Sequence, residues 1–167
     1  VEKVLISACL LGEPVRYNGE DRLCDHEIMQ RWIREGRVVP VCPEIAGGLG
    51  VPRLPAEIVE GAGGAKVLAG DAVVIDKNGN DVSSNFISGA RHALASARAS
   101  NIRVAVLKEG SPSCGSGFIY DGTFTSARVQ DVGVTAALLR ESGIRVFSEF
   151  QLAEAEAALT ALESQAP

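Results

Sequence analysis

At 167 residues, 46% of them hydrophobic and 22% charged, the chain has the length and make-up of one globular domain, which excludes a disordered or fibrous protein. A net charge of −5 argues against nucleic acid as a partner, because a phosphate backbone calls for a basic face. No apolar run approaches the roughly 18 residues of a spanning helix, and Val4-Leu5-Ile6 is too short for a signal segment. The expectation is a cytoplasmic protein with no membrane partner, a monomer or small homo-oligomer, with one domain over residues 1–163 and a frayed tail over 164–167.

Taken in chain order, Lys3 to Ala8 is β-branched and apolar, as suits a buried strand, and it runs into a loop at Cys9-Leu10-Leu11-Gly12. Asp25 is a candidate N-cap for a helix through Met29, Trp32 and Ile33, which Gly36 ends. Val38 to Val41 is a second strand, stopped by Pro43. Residues 45–70 are rich in glycine and poor in periodic apolar positions, which predicts a long and therefore functional loop. A strand at Ala72–Ile75 and a turn at Asn78-Gly79-Asn80 follow. A helix runs from Asp81 to Asn101, with Phe86, Ala90, Ala93, Leu94 and Ala97 on one face.

Arg103 to Leu107 is a third buried strand. Asp121-Gly122, flanked by Phe118–Tyr120 and Thr123–Thr125, predicts a tight hairpin. Val132–Ser142 reads as a helix, Ile144–Phe147 as a strand and Gln151–Glu163 as a helix. Strands alternating with helices predict a Rossmann-like, three-layer α/β/α fold with a mainly parallel sheet. In such sheets the chemistry gathers outside the carboxyl ends of the strands.

Cys9, Cys42 and Cys114 all fall at that end, each after a different predicted strand. Any one of them alone is as readily a small core hydrophobe. Three together point to a metal or a catalytic site, since a cytoplasmic cysteine is ordinarily a free thiol. The chain has no paired C-x-x-C of the kind that marks zinc, so the residues alone lead to a soft site of three thiolates. Around Cys114, Ser111-Pro112-Ser113 and Gly115-Ser116-Gly117 offer hydroxyls and inward-turned N–H groups as donors to sulfur, although they are also ordinary loop composition. Glu44, two residues from Cys42, is a candidate proton carrier, with a capping carboxylate as the plainer alternative. Ser111 is either a hydroxyl that orients a nucleophile or a turn residue. The block Arg16-Tyr17-Asn18-Gly19-Glu20 either meets substrate or forms a turn. Cys24 reads first as a free thiol, then as an auxiliary residue, then as a fourth ligand. His26 and His92 are expected on solvated helix faces.

The chain resembles a family long catalogued as a bacterial domain of unknown function, whose characterised type is thiouracil desulfurase. The likeness spans Lys3 to about Glu149 and rests on five blocks taken together. They are Cys-Leu-Leu-Gly-Glu-Pro-Val-Arg-Tyr (9–17), Val-Cys-Pro-Glu-Ile-Ala-Gly-Gly-Leu (41–49), Pro-Arg (52–53), Leu-Lys-Glu-Gly-Ser-Pro-Ser-Cys-Gly (107–115) and Ile-Tyr-Asp-Gly-Thr-Phe (119–124). The resemblance implies a 4Fe-4S cluster on Cys9, Cys42 and Cys114, with one iron left open. It also implies a catalytic Glu44 and Ser111, with Ser113 a second match for the serine and with Ser113 and Arg16 toward a small thio-base substrate. The implied reaction is the non-redox desulfuration of 2-thiouracil to uracil and sulfide, with water oriented by Glu44 and Ser111. The 50–70 stretch is expected to help select the substrate. Such a cluster is oxygen-sensitive, so an aerobic preparation is expected to lose, oxidise or exchange it. Two rivals stand beside this reading. One is a metal- or nucleotide-binding module without turnover, although no G-x-G-x-x-G follows the first strand. The other is a redox protein that cycles a Cys9–Cys42 disulfide.

Overall fold

β1 (Val4–Ser7) is buried along its whole length, and it is the strand around which the rest of the sheet is laid. In the computed structural model, which describes residues 1–165, β1 pairs in parallel with β2 (Val38–Val41) on one side and β5 (Val104–Leu107) on the other. β5 in turn pairs in parallel with β8 (Arg145–Ser148), giving the order β2-β1-β5-β8. Pro40 lies in β2, which is an edge strand, where a missing N–H costs the ladder least.

Alternation along the strands feeds two cores. Val4, Ile6, Val104 and Val106 face α1 (Glu27–Arg34) and α6 (Leu152–Ser164) through Met29, Trp32 and Leu159. Leu5, Ala105 and Leu107 face α4 (Ser83–Ala99) and α5 (Val134–Glu141) through Ala93, Ala97 and Leu139. The expected α/β/α sandwich with a parallel sheet is therefore present. The chain moves outward from β1 to β2, then crosses back over β1 to reach β5. This reversal opens a crevice at the carboxyl ends of β1 and β5, the position where such folds bind ligands.

Several local expectations need correction. α1 is capped by His26, whose Nδ1 accepts the Ile28 N–H at 3.1 Å, and not by Asp25. Residues 45–70 are not one long loop. They finish a single turn α2 (Pro43–Ala46), then form β3 (Ala56–Ile58) and α3 (Gly64–Ala69). β3 pairs antiparallel with β4 (Val74–Asp76), outside the main sheet, over a third core that includes Ile58, Val67, Phe86 and Val134. This unit is held by tertiary burial, which local pattern does not reveal.

The tight hairpin is also absent. β6 (Ile119–Tyr120) pairs with β7 (Arg128–Val129), and residues 121–127 form a wide loop between them. Gly122 has φ +95° and lies against β3, where an added Cβ would come within 2.6 Å of the Ile58 carbonyl oxygen, so packing overrides the two-residue turn. α6 continues through Ser164, the first residue assigned to the tail, with Gln165 as its C-cap, and the frayed end expected at 166–167 lies outside the described residues.

Candidate active site

The crevice holds a cavity of about 690 Å³ whose lining includes Cys9, Cys42, Cys114, Glu44, Ser111 and Arg16. Topology brings each of them there. Cys9 sits in the 3-10 turn Ala8–Leu11 that leaves β1, a turn closed by Gly12 at φ +91°. Cys42 directly follows β2 and is the N-cap residue of α2, which places Glu44 in the first turn. α2 is seated on α4 through glycines. A Cβ on Gly89 would lie 1.9 Å from the Pro43 carbonyl oxygen, and one on Gly47 2.0 Å from the Asn85 oxygen. Cys114 is reached after β5 through the loop 108–118, and that loop docks on α5, whose Val134 and Thr135 N–H groups donate to the Pro112 and Ser113 carbonyls at 2.9 Å.

Glu44 and Ser111, 67 residues apart, are hydrogen-bonded, with the Ser111 hydroxyl donating to Glu44 Oε2 at 3.4 Å. The other carboxylate oxygen, Oε1, accepts from Arg53 Nε at 3.2 Å. Ser111 Oγ also accepts the Ser113 and Cys114 N–H groups at 3.0 and 3.2 Å, so its proton is directed at Glu44. Ser111 is thus a turn residue and at the same time the hydroxyl that meets Glu44. Ser113 is elsewhere: it is buried, its hydroxyl lies 2.8 Å from that of Thr135 on α5, and it is absent from the cavity lining. The substrate contact expected of Ser113 is not what the structure offers. Arg16 is in the lining, and its Nη1 is buried without a hydrogen bond, the nearest carboxylate being Glu20 at 3.9 Å.

The N–H donors expected around sulfur are also redirected. Those of Gly110, Ser116, Gly117 and Phe118 turn to the Glu109 carboxylate, at 2.8–3.4 Å. Glu109 thereby ties the two ends of the Cys114 loop together. Residues missed from sequence include Arg53 and Lys108. Arg53, 8% exposed, also donates to the Gly50 and Val15 carbonyls at 3.0 and 2.9 Å and so joins three segments of the rim. Lys108 Nζ pairs with Glu149 Oε2 at 3.0 Å. A hint existed for both: Arg53 follows a proline inside the 52–53 block, and Lys108 is a charge placed directly after a buried strand.

All four cysteines are free thiols. Burial pushes Cys9 up to about 11, against the pull of Lys108 and Arg16, with Cys42 adding to the rise. Burial likewise raises Cys42, where the Glu44 charge adds and the Ile45 N–H opposes. It raises Cys114 further, with contributions from Glu44 and Cys9. Cys9 therefore interacts with each of the other two thiols, and burial favours the protonated form of all three. Cys24 is half-buried beside the Cys9 core and does not line the cavity. His26 is the cap of α1, and His92 is exposed on α4.

Among the described residues, no three His, Cys, Asp or Glu side chains are gathered to hold a single metal ion. A polynuclear cluster takes its thiolates on different irons and so suits more widely set sulfurs. Soft donors on three separate strand ends of one cavity fit such a group.

The 2-thiouracil desulfurase family profile matches residues 4–151. A Bacillus subtilis (strain 168) relative, the uncharacterized protein YbbK, is 45% identical over 149 residues, covering 89% of this chain and 97% of its own. A solved structure named [4Fe-4S]-dependent thiouracil desulfidase TudS is 46% identical and superposes with a TM-score of 0.88 over 96% of this chain and 99% of its own. The chain belongs to the 2-thiouracil desulfurase family.

Proposed function

We propose that this chain holds a 4Fe-4S cluster on Cys9, Cys42 and Cys114 and removes sulfur from a thio-substituted base such as 2-thiouracil by hydrolysis, without net redox. The observation that carries this reading is the Glu44–Ser111 hydrogen bond on the wall of the same cavity that the three thiols line. Family membership supports the reaction class, and the name of the 46% identical structure supports the cluster.

Held by Cys9, Cys42 and Cys114, such a cluster would supply Lewis acidity, which makes a thiocarbonyl electrophilic at carbon. The chain's own residues do the rest. Glu44, held between Arg53 and Ser111, takes a proton from water as its oxygen adds to the ring carbon. Ser111, anchored by two backbone N–H groups, commits its one proton to that carboxylate and keeps it in one rotamer. Arg16, in the cavity lining, is placed to bring its guanidinium to an oxygen of the base. The balance is one thiocarbonyl and one water in, one carbonyl and one sulfide out, with no electron left over.

Anaerobic reconstitution with iron and sulfide, followed by sulfide release from 2-thiouracil, tests both halves. The expected result is about four irons per chain and sulfide formed one-for-one with uracil. A colourless protein that takes up a single zinc ion, or an iron-loaded protein that releases no sulfide, overturns the proposal.

A further inference from the structure

Phe124 is a bulky residue in a backbone conformation that bulky residues rarely adopt. Its φ is +58°, and that of Ser126 is +64°. The surroundings impose this. Glu57 Oε1, on β3, accepts the N–H groups of Gly122 at 2.9 Å and Phe124 at 3.2 Å. Gly61 N–H donates to the Asp121 carbonyl at 2.8 Å, and Gly122 lies so near β3 that a Cβ would be 2.6 Å from Val59 Cα. At the tip, the Thr123 and Thr125 hydroxyls meet at 2.6 Å.

The outcome of this bracing is that Phe124 is half-buried and lines the cavity. It stands with Tyr120 and Phe118, whose rings meet edge to face at 6.0 Å, and Arg128 lies 4.0 Å over the Phe118 ring. Backbone strain retained at a cavity wall indicates a task for the side chain it presents. On the desulfuration reading, the substrate is a flat ring with polar edges, and an aromatic face is the surface that matches it.

We infer that Phe124 is a specificity-determining residue that stacks on the ring of the thio-base, and that Glu57 is the positioning residue that holds it in place. This rests on the desulfuration reading.

The test uses reconstituted holoenzyme and two readouts, steady-state kinetics with 2-thiouracil and equilibrium binding of uracil. Phe124→Ala and Phe124→Gly are expected to raise KM and weaken uracil binding about tenfold, with kcat within about threefold and iron content unchanged. Phe124→Tyr keeps both parameters. Glu57→Ala weakens binding to a similar extent and adds nothing in a Phe124→Ala background. Phe124→Gly melts a few degrees above Phe124→Ala, because glycine relieves the left-handed backbone while both lose the ring.

Unchanged KM and uracil binding in Phe124→Ala overturn the stacking role, as does a loss of kcat that tracks lost iron. Additive effects of Glu57→Ala and Phe124→Ala overturn the positioning role. A wild type that releases no sulfide but binds uracil more tightly than Phe124→Ala sinks the reaction and leaves the stacking intact. A wild type that neither turns over nor binds uracil overturns both.

Discussion

Cys9, Cys42 and Cys114 follow three parallel strands, whereas Tyr120, Phe124 and Arg128 belong to a short antiparallel pair and the wide loop between its strands. The first group is placed by the main sheet, whose strand directions and order leave the three segments little choice of where to end. The second is placed by single tertiary contacts, chiefly the Glu57 carboxylate on the N–H groups of Gly122 and Phe124. Parts of a cavity set by the sheet suit a rigid inorganic group, which tolerates little ligand movement. Parts set by one or two hydrogen bonds can be revised without touching the core, as substrate choice requires.

That division can be broken most sharply on the sheet side. Replacing Cys9, Cys42 or Cys114 by serine is expected to abolish iron retention after anaerobic reconstitution, measured as iron and acid-labile sulfide per chain, and with it all turnover. Retention of about four irons by any of the three would remove that cysteine from the ligand set. Glu44→Gln should leave the iron content intact and lower the rate of sulfide release by about a hundredfold or more, the usual scale for a lost general base.

Gly89→Ala probes how the same side is supported from behind. Its Cβ would sit 1.9 Å from the Pro43 carbonyl oxygen, so the helix must part from α2, at a cost of about 1–3 kcal/mol. A lower melting temperature together with weaker iron retention is the expected pair of results. The corresponding change on the other side, Gly122→Ala, should alter KM and spare the iron.

Alkaline pH should separate the thiols from the rest of the fold. The raised Cys9 thiol means that the native state holds a proton that the unfolded chain releases first. The stability it contributes is therefore complete below the ordinary thiol value of 9.0 and is lost as pH rises to about 11. Urea midpoints of the metal-free protein should fall over that interval by on the order of 2 kcal/mol in stability, and Cys9→Ala should flatten the slope. The smallest effect is expected at Cys24. Because it stays out of the cavity lining, Cys24→Ser should keep both iron content and kcat near wild type.

The sheet was legible in the sequence because β1, β5 and β8 are short apolar runs closed by polar or small residues, and because Gly36, Asn101 and Gly143, all at positive φ, punctuate the helices. Cysteine positions relative to those strands then gave the convergence. What was not legible depended on partners distant in the chain. The Asp121-Gly122 turn was misread because the competing partner, Glu57, lies more than sixty residues away. Ser113 and Ser111 look alike in sequence, and only the docking of their loop on α5 sends one hydroxyl to Thr135 and the other to Glu44. Arg53 carried no sign of its three acceptors. Of the small β3–β4 sheet, the Ala72–Ile75 expectation overlaps β4, whereas β3 escaped because it is three residues long and packs mostly against helices.

The two buried thiols nearest the crevice belong to different cores: Cys9 packs with α1 and α6 on one side of the sheet, and Cys114 with α4 and α5 on the other. A group bound by both is a rivet through the central layer. Its loss would free the two helical layers to loosen separately, so the loaded protein should melt in one cooperative step at a higher temperature, while the stripped protein spreads its transition over a broader range.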